Sequence, residues 1–484
     1  MAKKIESYGE ILTLFIFETL AFTSFTLGNS ILLYLLFGLI TLLLILFFNT
    51  NRLKNMDYPY FFIFLIPLVI FAILSGFSKF SLNPSNHFTM ITNILVPIVM
   101  LIFISLGYLS RSVEGFKISN GMTVIYAGIL IITLLSIIYA LIKYGPFYTM
   151  IYEGKYIYYE GKRFPIWDNI PFLMGIKYID VSIQYFQLFP TLLFTSMVGL
   201  KFISPKKEKK KFIIYSIYAS VGFLSMIFTI NKINIITSVL VILFLLFLVF
   251  VPKRGKVLKP IAYTVLGIVA VLGLIFFINA QSSWGFANGL QEVIKGNAFL
   301  NRLFNANRFS TPMVEALDGC LTGDKIFGFK AVDDMSNIFL FDNIITTGFI
   351  GALCFFIFLG FMVINLVKYY TKSKDDMLAK NLVVAFICTF FIYSLFALDS
   401  QPYSHYTNYI PMQQNPMFLI TLILMGYVIM DRKRDVNTEV VEIINNNIKE
   451  DVNIIDADVK NEKLNPEVKD TNDDEIELVP VEDK

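Results

Sequence analysis

The sequence predicts an all-α fold, that of a polytopic integral membrane protein with about twelve transmembrane helices. Three observations support this class. Of the 484 residues, 56% are hydrophobic and only 16% are charged; the mean hydropathy is +0.65; and apolar runs long enough to cross a hydrocarbon core about 30 Å thick recur along the chain. Because segments in lipid must satisfy their backbone hydrogen bonds internally, these runs are predicted to be helices.

The predicted spans are joined by short connections except at two places, where loops 143–187 and 279–347 separate them. In chain order the spans are Ile11–Leu27, Ile31–Phe48, Pro59–Leu74, Met90–Leu109, Thr123–Ile142, Leu188–Ser204, Phe212–Ile230, Ile235–Val251, Ile261–Ile278, Gly348–Val367, Leu382–Leu398 and Met417–Met430. The seventh and eighth are joined only by residues 231–234, and merging them would reverse the side of every later loop.

Lysine and arginine accumulate at every second boundary between the spans. They include Arg111, Lys117 and the runs 205–211, 252–260 and 431–434. Short loops rich in these residues stay on the cytoplasmic side of a membrane. We therefore predict a multi-pass protein of the inner (cytoplasmic) membrane with both termini cytoplasmic. The two long loops would face outward and carry short interfacial helices.

The composition changes after Arg434. Residues 1–434 form the predicted membrane domain, whereas residues 435–484 are acidic and contain no aromatic residue. Its few apolar side chains can bury too little surface to offset the conformational entropy that the chain would lose on folding. This segment is therefore predicted to be a disordered cytoplasmic tail. The three scattered cysteines and two histidines do not suggest a disulfide framework or a metal site. No metal, cofactor or nucleic-acid partner is expected.

Arginines in the outer loops are the first candidates for a binding site. Arg302, Arg308 and Arg163 lie on the predicted outer side, where they work against the usual charge bias of membrane proteins. The fixed fork of donors on an arginine suits a phosphate or pyrophosphate bidentately, unlike the point charge of a lysine. The alternative is that each arginine pairs with a carboxylate such as Glu315 or with lipid headgroups.

Loop 143–187 is also dense in tyrosine and contains Trp167. Aromatic faces pack against the apolar faces of sugar rings, but the same residue types form the interfacial belt of membrane proteins. Both interpretations stay open. Lys232 marks a turn on the same predicted side and would add to an anion-binding site there.

Residues 326–360 read IFGFKAVDDMSNIFLFDNIITTGFIGALCFFIFLG. This segment resembles the signature of the bacterial O-antigen polymerase and ligase family. Its elements are a glycine-containing hydrophobic step, the polar dipeptide Ser336-Asn337, the apolar stretch 338–345, and a Gly-Phe-Ile-Gly entry into a membrane helix at Gly348. Arg308 and Gly319 are separated by ten residues, which is similar to the arginine-to-glycine spacing of O-antigen polymerases.

The resemblance implies a GT-C-like membrane enzyme that polymerises undecaprenyl-pyrophosphate-linked oligosaccharide repeat units on the outer face of the membrane. The product would be an O-antigen, a capsule or an exopolysaccharide. The resemblance also implies two protein partners, a chain-length regulator and a flippase, in addition to the surrounding lipid bilayer. Family ligases typically carry a histidine at the polar dipeptide. Because this chain has Ser336-Asn337 there, a polymerase is favoured and a ligase is the alternative.

Such a reaction needs a charge that stabilises the departing pyrophosphate and a base for the acceptor hydroxyl. Arg308 is assigned to the first role, with Arg302, Arg163 and Lys232 binding the same anion. The candidates for the base are Asp333, Asp334 and Glu315, with Asp318 and His405 as weaker candidates, and further substrate contacts are assigned to Asn337, Trp167 and His405. The two adjacent aspartates are equally consistent with the capping of a helix start, and a lone loop histidine is more often a solvated side chain.

A lipid-linked oligosaccharide flippase is the main alternative from another functional class. Such a transporter would place charged residues among the spans and would show repeated broken helices in its two halves. The spans of this chain hold almost no charge, and no such repeat is visible. A peptidoglycan polymerase of the shape and division type is another alternative, but its wider pattern is not found.

Overall fold

The computed structural model describes most of the apolar part of the chain. The residues described are 2–26, 31–48, 56–82, 87–144, 156–159, 162–165, 183–229, 232–282, 292–293, 296, 339–396 and 416–429. By their contacts, Met1–Asp431 and Arg432–Lys484 are separate units. All the helices and strands below belong to the first unit, and the predicted acidic tail lies outside the described residues.

Twelve helices and two strands are present in the described part of the chain. The helices are α1 (Ala2–Thr26), α2 (Ile31–Phe48), α3 (Tyr58–Leu82), α4 (His87–Ser110), α5 (Ile118–Tyr144), α6 (Ile183–Leu200), α7 (Lys209–Thr229), α8 (Lys232–Phe250), α9 (Arg254–Ser282), α10 (Phe339–Lys372), α11 (Met377–Phe396) and α12 (Pro416–Val428). Each predicted span falls on a different one of these helices, so the helical class is confirmed, and the seventh and eighth spans lie on separate helices.

One hairpin departs from the purely helical expectation. Strands β1 (Tyr156–Tyr159) and β2 (Lys162–Pro165) pair antiparallel, with Tyr159 opposite Lys162. Aromatic and β-branched residues favour extended backbone, and the two residues between the strands, Glu160-Gly161, match the length and glycine content of tight hairpin connections. The predicted outer loop 143–187 therefore contains a β-hairpin in its described part.

Helix α12 lies at the centre of the bundle. Residues Met417 to Val428 of this helix and the following Ile429 are all buried. A helix that is apolar on all sides must be surrounded by other helices or by lipid, and α12 packs most extensively against α4, with further contacts to α1, α11 and α10. The largest buried side chains around it include Phe103, Tyr108 and Phe390.

Two glycine contacts fix the crossing of α4 and α12. A Cβ atom on Gly107 would collide with the backbone carbonyl of Ile423, and one on Gly426 would collide with that of Ile104. Each helix thus presents a glycine to the backbone of the other helix. In both helices the glycine lies three residues from the carbonyl that the partner's glycine contacts: Gly107 from Ile104, and Gly426 from Ile423. Small residues at such positions allow helix backbones to approach closely.

Other helices expose apolar side chains on their outer faces. Phe47 on α2 is 79% exposed and Phe250 on α8 is 75% exposed, and similar residues line the outer surface of α9. Continuous apolar surfaces of this kind need an apolar environment or partner. Two described segments, Ile118–Leu135 and Leu353–Lys372, are long and apolar enough to cross a membrane. The crossing of a membrane by all twelve helices stays a prediction.

Candidate functional site

The helix ends that adjoin the basic connections lie together at one end of the bundle, which we call the basic end. The contacts that define it are those of Tyr8 with Leu44, Lys117 with Glu10, Tyr108 with Asp57, Arg111 with Ile429, Tyr427 with Asp375 and Gly255 with Thr371. These pairs join ends of α1, α2, α3, α4, α5, α9, α10 and α12. The alternation of basic boundaries in the sequence therefore corresponds to one end of the folded bundle.

Arg111 and Asp375 hold the end of the central helix from two sides. Arg111 Nη1 donates a hydrogen bond of 2.8 Å to the carbonyl oxygen of Ile429, and its guanidinium lies 5.9 Å from the ring centroid of Tyr427. Tyr427 Oη donates to Asp375 Oδ1 at 3.2 Å. A cation at the carboxyl end of a helix satisfies its last carbonyls and its dipole.

The turn between α10 and α11 is held by further polar contacts. The backbone N–H of Ala379 donates to Asp376 Oδ1 at 2.8 Å, which caps the start of α11. Lys380 Nζ donates to the carbonyl oxygen of Ser373. Burial lowers the pKa of Lys380, and the nearby carboxylates of Asp375 and Asp376 oppose that shift. These interactions position helix ends, and we assign these particular contacts a structural role.

Replacing Arg111 with Met should lower the free energy of unfolding by about 1–2 kcal/mol, because the Ile429 carbonyl loses a charge-assisted hydrogen bond. Thermal unfolding of the purified protein in detergent measures the loss. Arg111→Lys keeps one charged donor and should recover part of it. Lys374→Met, at an exposed position in the α10–α11 turn, is the matched control. Equal melting temperatures for the Arg111 and Lys374 variants would show that the contact contributes nothing.

The starts of α8 and α10 lie at the opposite end of the bundle from the basic end. Helix α10 has 34 residues, which is about 51 Å of helix, and its carboxyl end lies at the basic end through Thr371. Its first residue, Phe339, therefore lies at the far end. Helix α8 ends at Phe250, four residues before Arg254, which lies at the basic end. The first residue of α8, Lys232, therefore also lies at the far end.

Most of the predicted site residues lie outside the described residues. These are Arg302, Arg308, Glu315, Asp333, Asp334, Asn337, Trp167 and His405. Two lie in described elements: Arg163 in β2, and Lys232 at the start of α8. Their convergence on one site is therefore still a prediction. In the sequence, Asn337 comes two residues before Phe339, so the predicted polar dipeptide precedes the start of α10 by one intervening residue.

Arg163 has a defined backbone position in the hairpin. Its register partner across the two strands is Tyr158. Directly opposed residues in an antiparallel pair are nearest neighbours on one face of the sheet. The sequence analysis considered the arginine and the tyrosines of this loop separately, and the register joins them in one short element.

A polar network inside the bundle was not anticipated from the sequence. Tyr126 Oη lies 2.6 Å from Thr195 Oγ1, and Tyr215 Oη lies 2.9 Å from Thr123 Oγ1. Tyr218 Oη donates to the backbone carbonyl of Thr123 at 3.2 Å. The network links α5, α6 and α7, and its hydrogen bonds satisfy hydroxyl groups that would otherwise be costly to bury. The available signal was the three-residue spacing of Thr123 with Tyr126 and of Tyr215 with Tyr218.

The described residues thus define a helical bundle with segments long and apolar enough to cross a membrane. In that part of the chain, no group of three or more His, Cys, Asp or Glu side chains is arranged to hold a metal ion. No protein-family model, curated protein or solved structure matches the chain.

Proposed function

We propose that this chain is a multi-pass glycosyltransferase of the cytoplasmic membrane that polymerises undecaprenyl-pyrophosphate-linked oligosaccharide repeat units on the outer face. The polymer is a surface polysaccharide: an O-antigen, a capsule or an exopolysaccharide. The observation that carries the proposal is the segment 326–360, in which one residue separates the Ser336-Asn337 dipeptide from the start of α10.

The length of α10 supports an extramembrane position for this dipeptide. The predicted span Gly348–Val367 is about 30 Å long as a helix, enough for the hydrocarbon core. The nine residues from Phe339 to Thr347 add about 13 Å of helix beyond it. In the proposed orientation the basic end is cytoplasmic, so this extension projects outward and carries Asn337 at or beyond the level of the headgroups.

In the proposed reaction, a hydroxyl oxygen of the acceptor glycan attacks the anomeric carbon of the donor glycan. The bond between that carbon and the pyrophosphate oxygen breaks, and the polyprenyl pyrophosphate departs with the electron pair. The hydroxyl proton passes to a carboxylate, for which Asp333, Asp334 and Glu315 are the candidates. The donor already has a good leaving group, so the reaction needs no nucleotide.

Arginines supply the electrostatic part of this mechanism. Arg308 would contact the pyrophosphate oxygens as negative charge grows on them, and preorganised charge of this kind is usually the largest catalytic contribution. Arg302 and Arg163 would bind the same group from neighbouring chain segments. Arg163 and Tyr158 are register partners in the hairpin, which supports an arginine and a tyrosine of this loop acting at one place.

Deletion of the gene in its native host tests this function against its alternatives. We expect surface polysaccharide to collapse to single repeat units that are still exported, with full length restored by the wild-type gene. Accumulation of lipid-linked repeats on the cytoplasmic face would instead indicate a flippase. Full-length polymer that remains on undecaprenyl pyrophosphate would indicate a ligase. Either of the last two results would contradict the proposal.

A further inference from the structure

Two strongly basic stretches lie beside each other at the basic end. Residues 201–211 contain six lysines and one glutamate, and residues 253–259 contain three lysines, one arginine and no acidic residue. The lysines of both stretches are exposed. Glu208 is paired with Lys211 at 2.9 Å, so the single carboxylate within the two stretches already has a cation. We call this surface the basic patch.

Arg254 joins the two stretches. Its guanidinium lies 5.9 Å from the ring centroid of Phe202, which belongs to the first stretch. The neighbouring Gly255 packs against Thr371, near the end of α10. These contacts fix the start of α9 beside the α6–α7 turn. The positive charges are therefore held together by the fold, although they come from separate connections.

Lys253 adds an unusual backbone conformation to the patch. Its φ angle is +51°, in the left-handed region that glycine or asparagine occupies at least cost. Its carbonyl oxygen accepts a 2.9 Å hydrogen bond from the N–H of Lys256, which begins the first turn of α9. Lys253 therefore forms part of the turn that leads from α8 into α9.

Exposed apolar side chains continue directly from the lysines. Ile213, two residues after Lys211, is 47% exposed, and Ile261, two residues after Lys259, is 45% exposed. Phe250, at the end of α8, is 75% exposed. A surface with cations at its tip and apolar helices below matches the two parts of a phospholipid, an anionic headgroup and its acyl chains. A nucleic acid or an acidic soluble protein would not need the apolar part.

We propose that the basic patch binds anionic phospholipid headgroups, with the acyl chains against the adjoining faces of α7, α8 and α9. The inference depends on the membrane placement proposed above but not on the polymerase reaction. Clusters of four to eight lysines and arginines next to membrane helices recognise anionic lipid, and each cation contributes roughly a fivefold factor to affinity. Anionic lipid in the cytoplasmic leaflet would then fix the depth and tilt of these three helices.

The test uses the full-length protein in detergent with phosphatidylglycerol or phosphatidylcholine of identical acyl chains, and counts bound lipid by native mass spectrometry. We expect the wild type to prefer phosphatidylglycerol at least tenfold and to lose most of that preference between 0.1 and 0.5 M salt, because exposed charges are screened. A variant with Lys206→Gln, Lys207→Gln, Lys253→Asn and Lys256→Gln should lose the preference by about tenfold or more.

A charge-conserving variant with Lys206→Arg, Lys207→Arg, Lys253→Arg and Lys256→Arg is the matched control and should bind like the wild type. Asparagine is chosen at Lys253 because it tolerates the left-handed backbone. Equal binding of the two lipids by the wild type would overturn the inference without any variant. Equal behaviour of the neutral and the charge-conserving variants would also overturn it. Neither result bears on glycan polymerisation, so the two proposals are tested separately.

Discussion

Replacing Gly426 with Ala should destabilise the protein by about 3 kcal/mol or more, although only one methyl group is added. The new Cβ would overlap the backbone carbonyl of Ile104 and crowd the backbone nitrogen of Tyr108, and neither atom can rotate away. The two helices would have to separate, and α12 is buried along its described length. Gly107→Ala should have a comparable effect, because its Cβ would overlap the carbonyl of Ile423.

Gly267→Ala is the matched control for this prediction. Gly267 lies on the exposed outer surface of α9, and a Cβ there would meet no atom within 4 Å. Alanine has the higher helix propensity, so this variant should be as stable as the wild type or more stable by up to about 1 kcal/mol. Thermal unfolding in one detergent compares the three proteins. If the Gly426 and Gly267 variants melt at the same temperature, the close crossing of α4 and α12 is wrong.

Replacing Arg308 with Ala should reduce glycan elongation by about 10²- to 10³-fold, the usual effect of removing one preorganised group that stabilises transition-state charge. Arg308→Lys keeps the charge but loses the bidentate fork, so we expect a smaller loss of about tenfold. Polymer length on the surface of the native host, with the amount of membrane protein matched by immunoblot, measures both effects.

Lys374→Met serves as the control, because it removes a cation from the α10–α11 turn at the basic end. It should leave polymer length unchanged. Normal polymer length in the Arg308→Ala strain, at equal protein abundance, would remove this arginine from the mechanism. A similar shortening in the Lys374 strain would mean that polymer length responds to loss of any cation and not to the proposed site.

The positions of the helices could be predicted from the sequence because each helix contains a long apolar run. Apolar runs bounded by basic residues predicted every described helix, and the lysines and arginines at alternate boundaries indicated which helix ends lie together. The extent of α10 could not be predicted in the same way. Residues 342–347, DNIITT, lower the local hydropathy, so the span was expected to begin at Gly348, whereas the helix begins at Phe339.

Features that depend on contacts between distant segments were not predictable. The glycines of α4 and α12 are each unremarkable in sequence, and only the crossing shows that Gly107 and Gly426 face backbone atoms. The pairing of Tyr158 with Arg163 likewise requires the register of the hairpin. For the candidate site, residue type predicted anion binding. The meeting of its arginines and carboxylates depends on loop 279–347, most of which lies outside the described residues.

The most direct test of the proposed polymerase uses the purified protein with an undecaprenyl-pyrophosphate-linked repeat unit, no nucleotide sugar and a metal chelator. We predict a ladder of lengthened lipid-linked glycans, which should disappear with Arg308→Ala. Failure to lengthen the glycan, together with movement of the intact substrate across a liposome membrane, would contradict the account and would indicate a transporter.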